Sequence, residues 1–259
     1  MNGVTMADEK TKPVDVTELS KDELLRFIGV TLGDVLVHYG MWFTEALHHQ
    51  GPDLALEMER DVLNRYAPLA LMRLAPHFGI QMEGNVPKIL AEKSREELLF
   101  LAGDIAKTWL TGDGLWFQAV EAARGMAEAK QTNDTCWSHF AKMEAFKLKG
   151  FLGIGANEGL EALERAIKLR IYTIINAHSS SWDQDGSLIF TVTECRVQSA
   201  RRKKGLDDYP CKSAGIIEYS EFARAVDPRI ATECVWCPPD RIPDDAFCRW
   251  RFSIDTSQG

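Results

Sequence analysis

Two stretches of the chain, residues 20–80 and 94–154, match each other without a gap when the sequence is shifted by 74 positions. Fifteen of the 61 aligned pairs are identical, whereas ordinary composition predicts roughly 6% identity by chance. We interpret the match as an internal duplication. Two copies predict a pseudo-symmetric pair of helical segments rather than a solenoid of many repeats.

Each copy has the pattern of consecutive helices. A serine followed three residues later by glutamate opens both copies, and this capping box is typical of a helix start. We predict that Gly40 and Gly114 form turns after the first helix of each copy, and that Gly51 and Gly125 end the second helix. Pro52 suits the first turn of a third helix.

The Trp-Phe pairs that begin at Trp42 and Trp116 are the most distinctive residues shared by the copies. Aromatic side chains bury large areas, so one interpretation is core packing between helical hairpins. The other is that Trp42 and Trp116 form the aromatic wall of a ligand pocket. The adjacent His48 and His49 point to different helix faces, which makes a two-histidine metal clip there unfavourable.

Composition excludes some partners. A formal net charge of −8 leaves no basic surplus to neutralise phosphates, which argues against a nucleic-acid partner. No apolar run approaches the roughly 20 residues of a membrane-spanning helix. Residues 1–18 are polar and acidic, which predicts a disordered lead-in. We therefore expect a cytoplasmic protein without a membrane partner, whose six cysteines are thiols or metal ligands rather than disulfides.

After the helical copies the sequence changes from helical to extended patterning. We predict a last helix over 157–177, a turn-like segment with Asp185-Gly186 as a loop signal, and a strand over 187–198. Period-two geometry places Glu194 and Arg196 at the end of one strand face. Two explanations fit this pair: fraying into solvent, or a paired polar patch at the mouth of a pocket that makes Arg196 a ligand-binding candidate.

The remaining elements are short. A basic segment over 201–204 is interpreted as a solvated face, and the alternative is that its four cations attract an anionic ligand. Residues 215–227 are predicted to form a short strand and then a short helix that ends before Pro228 and buries Tyr219 and Phe222. A tight turn over 234–237 then precedes a terminal strand, on which Cys248 and Trp250 share a face.

Five cysteines fall within 54 residues of this C-terminal part: Cys195, Cys211, Cys234, Cys237 and Cys248. Two thiolates in a Cys-x-x-Cys spacing can bind one tetrahedral ion, so Cys211, Cys234, Cys237 and Cys248 are candidate ligands of zinc or, less favourably, of an iron–sulfur cluster. The alternatives are a reactive thiol and simple packing of cysteines as small hydrophobic residues. The metal and thiol hypotheses both require these sulfurs to converge in space.

The segments ECRVQSAR, GLDDYPCKS, FARAVDPRI, CVWCPPD and PDDAFCRWRF resemble the C-terminal half of an uncharacterised bacterial "cytosolic protein" family. That family is distantly similar to L-2-amino-thiazoline-4-carboxylate hydrolase-like proteins and to hydrocarbon-binding, vinyl-reductase-associated domains with a TRAPP-like fold. The likeness covers about residues 155–254. Those domains share a late acidic turn followed by Cys-x-Phe on the last strand. Here Asp244, Asp245 and Cys248 stand in this motif, and Trp250 occupies the position of its phenylalanine.

This resemblance implies an antiparallel sheet packed on helices, with a ligand cavity between the two layers. For a hydrolase acting on C–N bonds, it implies a thiolate nucleophile or a metal-bound water. Cys195, Cys211 or Cys234 would serve as the thiol, and Glu194 or Asp207 would carry protons.

Together these patterns predict an α+β protein with three parts: a lead-in over 1–18, a duplicated helical region over 19–154, and a cysteine-rich α/β domain over 155–259. Three hypotheses for its function stay open. The chain binds a small molecule or a metal, it hydrolyses a small cyclic amidine-like compound, or it carries a structural zinc site on an interaction domain. A homo-oligomer is compatible with each.

Overall fold

The computed structural model describes residues 15–205 and 207–254. They fall into two compact units, one ending at Tyr66 and one beginning at Ala67. Most of the expected lead-in, residues 1–14, lies outside the described residues, and Val16–Glu18 form a short 3-10 helix. Helices and antiparallel sheets together confirm the α+β class.

The first unit contains helix α1 (Lys21–Gln50) and the beginning of α2 (Pro52–Leu74), which continues into the second unit. Within this unit the Tyr39 hydroxyl donates a hydrogen bond of 3.2 Å to Oε1 of Glu59. No residue of α1 is buried. Among the described residues, α1 is also the one helix that is long and apolar enough to cross a membrane, judged by length and composition alone. The sequence patterns did not predict this, because glycines and polar residues interrupt the apolar ones.

Helices α1 and α4 (Arg95–Arg124) have the same length, 30 residues. Both begin with the predicted capping box, in which the backbone N–H of Ser20 or Ser94 donates to a glutamate carboxylate 2.8 Å away. Both end at the predicted glycine with a positive φ, 78° at Gly51 and 88° at Gly125. Local sequence signals therefore determine both ends of these helices.

The predicted turns at Gly40 and Gly114 are wrong, because both glycines lie inside the continuous helices α1 and α4. A glycine in a helix interior is less favourable than alanine by only about 1 kcal/mol, so the flanking helical residues determine the conformation. Each Trp-Phe pair therefore lies in the second half of a long helix rather than at the start of a new one.

Among its described residues, the second unit contains six further α-helices and two sheets. The helices besides α4 are α3 (Lys88–Ala91), α5 (Met126–Leu152), α6 (Gly159–Ile167), α7 (Arg196–Lys203) and α8 (Lys212–Val226). Strands β1 (Met82–Glu83) and β2 (Val86–Pro87) form a small hairpin, and the main sheet contains β3 (Ala177–Trp182), β4 (Leu188–Glu194), β5 (Ile230–Trp236) and β6 (Cys248–Ile254). Its strand order is β3-β4-β6-β5, with every neighbouring pair antiparallel.

The core of this unit lies between the main sheet and helices α5, α6 and α8. Trp250 and Phe252 of β6 are fully buried, as are Phe222 and Val226 of α8. The predicted shared face of the terminal strand and the predicted buried side around Phe222 are both confirmed. Helix α8 thus covers the face of the sheet on which Cys248 also lies.

The helix predicted over 157–177 is wrong at its C-terminal end, since α6 ends at Ile167. Its continuation is prevented because the backbone N–H of Ile171 donates to a carboxylate oxygen of Glu144 at 2.6 Å instead of to a helical carbonyl. The chain then enters β3, where a turn-like segment was predicted, and pairs with β4. The predicted loop at Asp185-Gly186 is present, with φ of 79° at Gly186.

Three further elements differ from the prediction. Strand β4 ends at Glu194 and Arg196 begins α7, so these two residues no longer share a strand face. The segment predicted as strand then helix is the single helix α8, which ends before Pro228 as expected. Cys234 lies on β5 and Cys237 follows its end, so the two do not form a tight turn; pairing of β5 with β6 extends the backbone there.

Candidate functional site

A cavity of about 590 Å³ lies in the second unit, between α4, α5, α7, α8 and the sheet strands β4 and β6. This volume is in the range of small-molecule sites. Much of its wall is aromatic and comes from several elements: Phe117, Trp137, Tyr172, Tyr219 and Trp250. Helix α8 contributes one continuous wall, because Cys211, Ala214, Gly215 and Glu218 follow each other at helical spacing.

Four cysteines line this cavity although they are far apart in the sequence: Cys195, Cys211, Cys237 and Cys248. The sulfur atoms of Cys211 and Cys237 are 3.5 Å apart, and Cys248 lies close enough to Cys237 to contribute to raising the pKa of its thiol. The structure therefore brings together four of the five cysteines of the C-terminal part. Cys234, on β5, is not a lining residue.

Cys211 is the most acidic of the thiols in this contact. It is the N-cap residue of α8, and a hydrogen bond from the thiol of Cys237 lowers its pKa. The side-chain amide of Gln198 also lies 3.5 Å from its sulfur. The same contact raises the pKa of Cys237, so Cys237 is the favoured donor in this contact and Cys211 is the more readily deprotonated of the two thiols.

A second set of contacts holds this thiol pair in place. The backbone N–H of Lys212 donates to the carbonyl of Pro238 at 2.9 Å, and its Nζ lies 2.7 Å from a carboxylate oxygen of Asp240. The same carboxylate accepts a hydrogen bond of 3.3 Å from the backbone N–H of Cys237. The beginning of α8 and the loop after β5 are therefore joined on both sides of the two sulfurs.

Cys195 has a different environment. It is buried, and burial raises the pKa of its thiol to about 11. Its sulfur lies 3.3 Å from the hydroxyl of Tyr172. A thiol with a raised pKa carries little thiolate at neutral pH. Cys211, rather than Cys195, is thus the lining thiol best suited to act as a nucleophile.

The other predicted site residues are dispersed. Glu194 and Asp207 are exposed and do not line the cavity, whereas Arg196 does. Trp42 is 69% exposed and Trp116 is 75% exposed, and neither lines the cavity. The neighbouring Phe117 does, and its ring meets that of Tyr209 edge-on at 5.4 Å.

Sequence patterns did not indicate the charged cluster next to the cavity. Arg170 is 1% exposed; its Nε lies 2.8 Å from Glu144 and its Nη1 lies 2.7 Å from Glu218. Its guanidinium also covers the ring of Phe222 at 4.6 Å. Glu218 lines the cavity, and burial raises its pKa to about 6, against the opposing effect of Arg170. We refer to Glu144, Arg170 and Glu218 as the buried triad.

The closest approach of α8 to the sheet occurs at Gly215. A Cβ atom at this position would lie 2.7 Å and 2.9 Å from ring atoms of Trp250. The indole N–H of Trp250 has no hydrogen-bond partner within the part of the chain that the structure describes. Since indole nitrogen is a donor only, Trp250 holds a buried N–H whose hydrogen-bonding capacity is unused among these residues.

The described residues, 15–205 and 207–254, contain no group of three or more histidine, cysteine, aspartate or glutamate side chains arranged to hold a metal ion. The contacting thiols Cys211 and Cys237 are thus a close pair with Cys248 beside it. They do not form a ready-made metal site.

Residues 90–254 match the model of a family of unknown function, DUF6125. This chain belongs to the DUF6125 family. The match includes every residue that lines the cavity and the whole buried triad, and it leaves out α1 and α2. No curated protein and no solved structure matches the chain. The cavity is therefore a feature of the DUF6125 region itself.

Proposed function

We propose that this DUF6125 chain binds a small, largely apolar molecule in the cavity between α4, α7, α8 and the main sheet. The observation that carries the proposal is a cavity of about 590 Å³ whose wall combines aromatic rings with four thiols. Sites of this size and composition bury most of a small ligand's surface.

The chemistry of the wall supports the same conclusion. Aromatic rings such as Tyr219 and Trp250 bind apolar groups through large contact areas. Thiols behave as small, polarisable hydrophobic groups. A mostly apolar molecule therefore fits this wall.

The neutral fluorescent probe N-phenyl-1-naphthylamine tests this proposal. We expect one bound probe per chain, and we expect Ala214→Phe to weaken binding about tenfold or more, because the new ring occupies the cavity beside Gly215. Fluorescence titration measures the affinity. Ser213→Phe is the matched control, since Ser213 is the exposed neighbour that does not line the cavity.

A second cavity-filling variant provides an independent test in case Ala214→Phe does not fold. Val197→Phe adds the same ring from α7. If Ala214→Phe and Val197→Phe both have the circular dichroism of the unmodified protein and still bind the probe unchanged, the cavity is not the binding site and the proposal fails.

A second candidate function is binding of one zinc ion by the cavity thiols. Zinc–sulfur bonds of about 2.3 Å place two thiolates of a tetrahedral site about 3.8 Å apart, close to the 3.5 Å between Cys211 and Cys237. Cys248 would be a third ligand, after a shift towards the pair.

Elemental analysis tests the zinc proposal. We expect about one zinc per chain after purification with added zinc. Cys237→Ser should lose the metal, whereas Cys234→Ser, which changes a cysteine outside the cavity wall, should keep it. A chain that holds no zinc, or that loses it equally in both variants, would contradict the assignment.

We also propose that the two pairs of long helices arose by duplication and that the cysteine-rich part has a TRAPP-like arrangement. The first idea is supported because the 74-residue shift extends to local geometry: Ile80 N–H donates to Ala75 and Ile154 N–H to Lys149, each at 2.9 Å. The second is supported by the antiparallel sheet covered by helices.

A further inference from the structure

Three cations at the two ends of α7 border the cavity. Arg196 is the first residue of α7, whereas Arg201 and the C-cap residue Lys204 are three positions apart at the other end, and all three line the cavity. Arg196 and Lys204 are exposed, so these positions lie where the cavity reaches solvent. The intervening Arg202 and Lys203 do not line the cavity.

None of these three lining cations has a carboxylate within ion-pair distance among the residues that the structure describes. Arg201 uses its Nε to donate to the backbone carbonyl of Asp207 at 2.7 Å. Arg202, by contrast, forms a two-bond ion pair with Asp208 and does not line the cavity. These three positions therefore carry positive charge that no direct ion pair with a described residue offsets.

The carboxyl groups that line the cavity lie on other helices. Asp113 and Glu121 are on α4, and Glu218 is on α8 and is paired with Arg170. Lys107, the fourth lining cation, is paired with Asp104 at 2.8 Å. Positive charge is thus concentrated on the α7 side of the entrance, in a chain whose formal net charge is −8.

We propose that the ligand of this cavity is an amphipathic organic anion, with its apolar body against the aromatic wall and its anionic group at Arg201 and Lys204. This inference rests on the proposed small-molecule binding and adds the chemical class of the ligand. A carboxylate or sulfonate at this position would accept charge-assisted hydrogen bonds, which are the stronger kind.

Two probes with the same aromatic body separate charge from apolar contact. 8-Anilino-1-naphthalenesulfonate is N-phenyl-1-naphthylamine with an added sulfonate. We expect the sulfonate probe to bind about tenfold more tightly than the neutral one. The advantage should shrink as salt is raised from about 0.05 to 0.5 M, because salt screens exposed charges. Both probes should be excluded by Ala214→Phe, which shows that they occupy the cavity.

Adjacent residues of α7 provide matched variants. Arg201→Gln combined with Lys204→Gln should abolish the preference for the sulfonate probe and change binding of the neutral probe less than about twofold. Lys203→Gln removes the same kind of charge from the same end of the helix, outside the cavity, and should keep the preference. Decanoate and 2-naphthoate, an alkyl and an aryl carboxylate, should each be tried as competitors; displacement by either supports the proposal.

The failures of the two proposals are distinguishable. If the neutral probe binds in the cavity but the sulfonate probe binds no more tightly, or neither carboxylate competes, the anionic class is overturned and small-molecule binding stands. If neither probe responds to Ala214→Phe, the cavity does not bind small molecules and both proposals are overturned.

Discussion

Arg170→Met is expected to lower the free energy of unfolding by about 3–5 kcal/mol, because it leaves two buried carboxylates without their cation. Arg170 is 1% exposed and contacts Glu144 and Glu218 at 2.8 Å and 2.7 Å. Methionine keeps most of the apolar side-chain volume, so the loss measures charge pairing rather than packing. Urea denaturation followed by circular dichroism measures the change.

The destabilisation should depend on pH. Burial already raises the pKa of Glu218 to about 6, above its ordinary value of 4.5, and Arg170 opposes that rise. In the variant the folded state therefore holds a proton that the unfolded state releases above about pH 4.5. Stability should fall as pH rises from about 5 to 8, so the variant should be closest to the unmodified protein at the acidic end.

Two further variants make the triad prediction specific. Arg165→Met changes an exposed arginine of the neighbouring helix α6 and should cost no more than about 1 kcal/mol. The triple variant Glu144→Gln, Arg170→Met, Glu218→Gln removes all three charges and should recover much of the lost stability. If Arg170→Met were as stable as Arg165→Met, the ion pairs described for Arg170 would not exist in solution.

Gly215→Ala is expected to destabilise the protein by about 1–3 kcal/mol, as overpacking of a close contact does. The added Cβ would lie 2.7 Å from a ring atom of Trp250, which is fully buried and cannot move without displacing the sheet or the helix. The thermal midpoint should fall, and the tryptophan fluorescence should change with it.

Gly112→Ala is the matched control. Gly112 lies inside α4, and nothing lies within 4 Å of a Cβ at that position. Alanine there should stabilise the helix by about 0.5–1 kcal/mol. A Gly215→Ala variant that gains stability in the same way would show that α8 does not approach Trp250 as closely as described.

Features set by a few neighbouring residues were predictable from the sequence. Capping boxes at Ser20 and Ser94, helix ends at Gly51 and Gly125, and the loop at Asp185-Gly186 depend on local backbone preferences. The errors after α6 and at α8 arose because distant contacts decide the conformation there. After α6, a carboxylate oxygen of Glu144 accepts a hydrogen bond from a backbone N–H. Packing of α8 against the core stabilises a helix where the sequence pattern predicted a strand.

The site was predictable only in part, for the same reason. A dense run of cysteines indicated that thiols would converge, and Cys211, Cys237 and Cys248 do line one cavity. Glu144, Arg170 and Glu218 come from three separate elements, so no spacing in the sequence relates them. Gly215 and Glu218 follow Cys211 at positions i+4 and i+7, a signal that becomes visible only once 212–226 is known to be a helix.

The links from Lys212 to Pro238 and Asp240 have a consequence for any molecule that enters the cavity. They join the two segments that carry Cys211 and Cys237 through hydrogen bonds within the chain, without a ligand. The sulfur pair is therefore pre-organised, and an incoming guest need not spend binding energy on ordering it. We accordingly expect this end of the cavity to select ligands by their shape and polarisability, because the backbone adapts little to the ligand.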